Sequence, residues 1–230
     1  MKQLSAAALS SVVLLLLFSC KSVDPHKRYP NMVADADPVS AGVIDAEFDR
    51  LFSSKLNKIE IEVIFYPRLN SVALEFRYEF IKYRQFWDDM GRKQFANAVE
   101  MYKEDYAARK LVTKYNKSRA VYGKVKSRVE WESFKFSKTH VSTPTIEIGY
   151  RFREETPFFA TLMRSAREED SSNDSPMDSQ QINMYFTRAQ AEELVKLFDQ
   201  SFLLGLLEKV NIPKIEEPTY LDEYREYGDD

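Results

Sequence analysis

Two neighbouring carboxylate pairs, Asp88–Asp89 and Glu154–Glu155, are the side chains whose spacing could support proton transfer. Carboxyls held in unlike environments serve as acid and base in glycoside cleavage. Each pair also has a plainer use. Asp88 and Asp89 stand where a helix N-terminus needs acceptors for its free amides, and Glu154–Glu155 reads as the solvated end of a hairpin. Composition narrows other chemistry. The two histidines are His26, in a polar N-terminal stretch, and His140, expected in a loop between strands. No His-x-x-x-His zinc pair and no histidine dyad can be assembled from them. The single cysteine, Cys20, precedes the folded part, which leaves the fold without a thiol nucleophile or thiolate ligand. Neither a Gly-x-x-x-x-Gly-Lys phosphate loop nor a Gly-x-Ser-x-Gly elbow occurs. No catalytic residue, metal site or cofactor is expected.

Two weaker constellations remain. Glu168, Glu169, Asp170, Asp174 and Asp178 crowd one polar stretch, but their order does not match an EF-hand, and a solvated loop is expected. Lys124, Lys126 and Arg128, with Tyr122, make a basic stripe of the kind that holds single-stranded nucleic acid. Glu130 and Glu132 continue that face and dilute it. A net charge of -3 predicts no general attraction to nucleic acid, and no nucleic-acid partner is expected. With 44% apolar and 30% charged residues, the chain is an ordinary globular one.

The elements that would position these groups follow from periodicity. A short helix is expected from Asp45 or Ala46, with Phe48, Leu51 and Phe52 on one face. Ile59, Ile61, Val63 and Phe65 alternate with Glu60 and Glu62, and Val72 to Phe80 alternates again across a turn at Pro67–Asn70, which predicts a hairpin. Lys82 to Trp87 is either a further strand or a turn. Phe95, Ala98, Val99, Tyr102 and Tyr106 recur at helical spacing, from a cap at Asp88–Asp89 to about Asn116. A long strand is expected from Val121 to Phe136, with a bulge near Ser133. Strands follow around Ile146–Phe152, Phe158–Ser165 and Ile182–Phe186. Thr187-Arg188-Ala189-Gln190 is a capping box opening a single helix to about Val210. The expected fold is α+β, a mainly antiparallel sheet of about six to seven strands with two principal helices packed on it.

The first residues carry an address. Met1-Lys2-Gln3, an apolar stretch from Leu4 to Phe18 and the small Ser19 precede Cys20. A charged start and roughly 15 apolar residues match an export signal better than a membrane span, which needs about 20. Leu17-Phe18-Ser19-Cys20 resembles a lipobox in the looser form of spirochaete envelope lipoproteins. That resemblance implies that Cys20 receives diacylglycerol, becomes the mature N-terminus and carries acyl chains such as palmitate. It implies a lipid anchor in the bacterial cell envelope, at the periplasmic face or the outer membrane; Lys21 favours the outer membrane. Two or three acyl chains would make the attachment effectively permanent, where one binds only marginally. The organisation expected is a signal peptide over 1–19, lipidated Cys20 and a proline-punctuated tether to 42, one domain over 43–212 and an acidic disordered tail over 213–230.

Phe86-Trp87-Asp88 ahead of Phe95, Ala96, Ala98 and Val99 is echoed by Tyr185-Phe186-Thr187 ahead of Leu194, Val195, Leu197 and Phe198. Any strand running into a capped amphipathic helix gives this pattern. A true repeat would make two sheet-then-helix units, an architecture that resembles the purine-rich-element-binding and Whirly group. The function expected is a non-enzymatic, membrane-tethered binding or scaffolding module, whose partners are the membrane and a protein or apolar ligand of the envelope. The alternatives are a carboxylate-based envelope hydrolase and a Whirly-like nucleic-acid binder.

Overall fold

A computed structural model of the chain describes residues 31–49, 56–111, 119–133, 136–169 and 177–215. Cys20, His26, the signal segment, the tether as far as Pro30 and the tail from Glu216 lie outside the described residues. From Asn31 onward the described residues form one compact unit. Its strands are β1 (Val39–Asp49), β2 (Leu56–Tyr66), β3 (Ser71–Tyr78), β4 (Ile81–Trp87), β5 (Arg119–Lys126), β6 (Val129–Ser133), β7 (Phe136–Ser142), β8 (Thr145–Arg153), β9 (Thr156–Met163) and β10 (Ile182–Phe186). Its helices are α1 (Asp89–Ala107), α2 (Arg188–Phe198) and α3 (Gln200–Lys209).

The expected α+β fold is therefore corrected. The strands form one ten-stranded antiparallel sheet, in the order β5-β8-β9-β10-β1-β2-β3-β4-β6-β7, curled into a half-barrel with three small helices. Three local causes account for the difference. Ile44, Ala46 and Phe48 are buried at a period of two, so the segment read as a short helix is strand β1 as far as Asp49; Leu51 and Phe52 lie outside the described residues. A bulge between Ser40 and Gly42 hides the alternation at its start. The run from Val121 to Phe136 is two strands, β5 and β6, and the chain after it forms β7. The long terminal helix breaks at Asp199, whose extended backbone ends α2 while its side chain caps α3 by accepting from Phe202 N at 2.8 Å.

Strands β5 and β7 form the two margins of the sheet, yet β5 is joined to β6 by Ser127–Arg128 alone and β7 to β8 by Thr143–Pro144 alone. Three peptide links span at most about 11 Å, so the opposite margins must come together there. Residues 119–153 thus form one bent hairpin whose base extends one margin and whose tip extends the other. Ser127 fixes the bend: its amide donates to Pro144 O at 3.1 Å and its hydroxyl to Phe86 O at 2.6 Å. Gly149 allows β5 to bulge against β8, because a Cβ there would lie 1.9 Å from Ala120 O.

Cross-strand register puts Ile61, Val63 and Phe65 with Val72, Leu74 and Phe76 on one inner face. The helices cover one end of that face. Trp87 packs edge-on against Phe95 at 5.5 Å, and Phe95 against Phe159 and Phe198 at 5.2 and 5.1 Å. Buried Arg92 ties this end together, donating to Asn70 O at 2.8 Å and Gln200 Oε1 at 2.5 Å. The connection from β9 to β10 covers part of the other end, near Tyr83 and His140.

Candidate functional site: the inner wall beneath the β9–β10 connection

Alternation along β4 turns Ile81, Tyr83, Gln85 and Trp87 inward and Lys82 and Arg84 outward. The outward pair joins a charged ladder: Glu75 contacts Lys82 at 2.5 Å and Arg84 at 2.8 Å, and Arg84 reaches Glu130 at 3.3 Å. That ladder fixes the strand's orientation, since a one-residue slip would bury it. On the inner side Tyr83 pairs with Trp131 and Trp131 with His140, while Gln85 pairs with Val129 and Val129 with Ser142. The rings continue across the sheet, with Trp131 stacked on His140 at 5.6 Å, Tyr83 on Phe76 at 5.5 Å and Phe76 tilted against Phe48 at 5.2 Å.

Gln85 is the exception in this wall, an amide among aromatic rings. Among the described residues, Gln85 Oε1 and the indole N–H groups of Trp87 and Trp131 have no hydrogen-bond partner. All three side chains are no more than 1% exposed. A buried polar group without a partner costs roughly 1–3 kcal/mol, so an acceptor and two donors so placed need a physical use.

The wall is covered by residues 164–169 and 177–181, the described parts of the β9–β10 connection. Ser179 and Ala166 clasp its two limbs: Ser179 N donates to Ala166 O at 2.8 Å and Ala166 N to Ser179 Oγ at 3.0 Å. Gln180 N donates to the Tyr83 hydroxyl oxygen at 3.4 Å, and Glu169 N to Val141 O on the open edge of β7 at 2.9 Å. The central anchor is Glu168, whose side chain is 1% exposed. Its Oε2 lies 3.0 Å from His140 Nδ1 and accepts from Met177 N at 3.3 Å, and its Oε1 lies 3.4 Å from Lys138 Nζ. The His140 contact is a close approach, not an aligned hydrogen bond. A carboxylate so buried is tolerable only with such partners. Burial also pushes the Tyr83 phenol up to about 12.

His140 therefore lies on strand β7, not in a loop, and Glu168 is buried, not solvated. Sequence reasoning missed both. Asp88 is the N-cap of α1, accepting from Gly91 N at 2.7 Å, and Asp89 pairs with Lys93 at 2.7 Å. Glu154 and Glu155 are exposed at the β8–β9 turn, where Glu154 takes a positive φ of 56°. The structure does not gather these carboxylates around one reacting centre. Glu169 and Asp178 are exposed, and Asp170 and Asp174 lie outside the described residues. The basic stripe is divided between β5 and the β5–β6 bend, with Lys124 held 3.1 Å from Glu147 and Arg128 2.7 Å from Glu130. Tyr122 turns to α1 and donates to Asp105 at 2.8 Å; burial and that carboxylate raise its phenol. Among the described residues no cluster of three metal-ligating side chains occurs and no helix is long and apolar enough to cross a membrane.

An open pocket of about 480 Å³ at the C-terminal end of α1 presents Arg109 and Arg188 beside Tyr106 and Phe152. Arg188 already covers the Tyr106 ring, 5.2 Å from its centroid. The inner wall, with its unpartnered buried groups, is the stronger candidate.

No curated protein and no solved structure matches the chain. A family model described as an uncharacterised Treponema protein matches residues 40–205, from β1 into α3, and so takes in the inner wall and its cover. The chain belongs to this family of spirochaete proteins.

Proposed function

We propose that the protein is a lipid-anchored envelope lipoprotein acting as a non-enzymatic binding module, with the inner wall beneath the β9–β10 connection as its site. The observation that carries this reading is the pair of unpartnered polar groups on Gln85 and Trp131, set in an aromatic wall under a polar-clasped cover, with a third on Trp87 at the helix-covered end. Ligand sites combine apolar lining with a few convergent polar groups in this way. The half-barrel supplies a rigid wall, and Met163, Met177 and Met184 in and against the same core are adaptable fillers that can yield to a guest. Cys20, with the apolar stretch before it, supplies the anchor to the envelope, at the periplasmic face or the outer membrane. Native mass spectrometry of the full chain released from envelope membranes tests both parts. The expected spectrum is an acylated chain beginning at Cys20 and carrying a small non-covalent adduct. An unacylated chain removes the anchor, and a chain without adduct removes the binding role.

A further inference from the structure

We infer that the inner wall takes an uncharged amphiphile, an apolar chain or ring ending in a hydroxyl or amide group. The inference rests on the binding reading above and specifies its ligand. The unpartnered groups beneath the cover are the acceptor Gln85 Oε1 and the donor indole N–H of Trp131 on the wall, with the acceptor Gln180 Oε1 on the cover; the unpartnered N–H of Trp87 lies at the helix-covered end. Gln85 and Trp131 occupy neighbouring inward positions, since Val129, the cross-strand partner of Gln85, lies two residues before Trp131 on β6, and Gln180 reaches the same region through Tyr83. A head group that both donates and accepts satisfies such a set, and hydroxyls and amides do both.

Charge argues for a neutral head. The ionisable groups over this part of the wall are Glu168, His140 and Lys138, and they already face one another at 3.0 and 3.4 Å. On the outer side of β4 and β6, Lys82, Arg84, Arg128, Glu75, Glu130 and Glu132 are committed to their own ladder. A further buried charge would enter with no counter-charge assigned to it, which proteins avoid. The body of the ligand would lie along Phe48, Phe76 and Tyr83, the aromatic run that continues from Trp131 across the sheet.

The chain has two tryptophans, Trp131 beneath the cover and Trp87 at the helix-covered end of the same inner face, so tryptophan emission reports on that face. The test is a fluorescence titration of the full chain with three probes of one chain length below their micelle concentrations: monolaurin, laurate and dodecylammonium. Monolaurin is expected to change the emission saturably, with the two charged probes at least about tenfold weaker. Gln85→Leu should weaken monolaurin roughly tenfold, the equivalent of one buried hydrogen bond. Gln85→Met is a second replacement should Gln85→Leu not fold. Equal binding of all three probes overturns the head-group inference and leaves the binding site standing. No emission change with any probe overturns the inference and removes this wall as the site.

Discussion

Replacing Glu168 by glutamine keeps the size of the side chain and removes one buried charge. Its contacts set the magnitude. Lys138 is 42% exposed, so that ion pair contributes no more than about 1 kcal/mol. The amide of Met177, donating at 3.3 Å, loses a charged acceptor and keeps a neutral one, a difference of about 1 kcal/mol. His140, 7% exposed and 3.0 Å away, loses its polar neighbour inside the wall, a change of about 1–3 kcal/mol. The substituted amide recovers part of that by hydrogen bonding, which leaves a net loss of roughly 2–4 kcal/mol. For a chain of this size the melting temperature should fall by about 5–15 °C. Urea unfolding gives the global value. Hydrogen exchange at the amides of Glu169 and Ser179, which bond to Val141 O and Ala166 O, reports whether the cover opens first. Glu169→Gln is the control, since its exposed side chain should matter by less than about 0.5 kcal/mol. A Glu168→Gln protein within about 0.5 kcal/mol of wild type, with unchanged protection at both amides, would refute the claim that this carboxylate holds the cover.

Three further outcomes follow from the geometry. Gly149→Ala places a methyl 1.9 Å from Ala120 O, so urea unfolding should show a loss of about 1–3 kcal/mol; a neutral result would mean the β5 bulge is absent. Asp88→Ala should lower stability by about 1 kcal/mol while Asp88→Asn changes it by only a few tenths, because asparagine caps equally well. Burial holds the Tyr83 and Tyr102 phenols at about 12, above the ordinary value of 10.0. The stability they contribute is complete below pH 10 and lost as the pH rises through about 12, so phenolate absorbance should appear together with unfolding. The chain has 13 tyrosines, so the signal is the absorbance that Tyr83→Phe and Tyr102→Phe remove; its appearance near pH 10 in the folded protein would contradict their burial.

Local rules were legible where one element decides them. The β2–β3 hairpin, the Asp88 cap and the Thr187–Gln190 capping box lie where alternation and cap chemistry put them. What stayed hidden depends on long-range pairing. The alternation from Val121 to Trp131 is genuine, but nothing local says that Ser127–Arg128 carries the chain from one sheet margin to the other. Asp199 ends one helix and starts the next within an unbroken apolar pattern. At the site, Gln85 falls on the inward parity of Ile81, Tyr83 and Trp87, and reading β4 as a strand would have marked it as a buried amide. Glu168 had no such signal, because its partner His140 approaches from a strand 28 residues earlier and the surrounding Ser, Asp and Asn residues look solvated.

The most direct test of the inner wall as the binding site uses the methionines as reporters. Cells expressing the full chain with photoreactive methionine are irradiated, and adducts are mapped by peptide mass spectrometry. Met163 and Met184 are buried in the core on β9 and β10, with Met184 paired to Phe48, and Met177 of the cover packs against that core, whereas Met90 and Met101 on α1 are 63% and 46% exposed. The account predicts small-molecule adducts on Met177 and its inner neighbours. Adducts confined to Met90 and Met101, or protein-sized products alone, would contradict it.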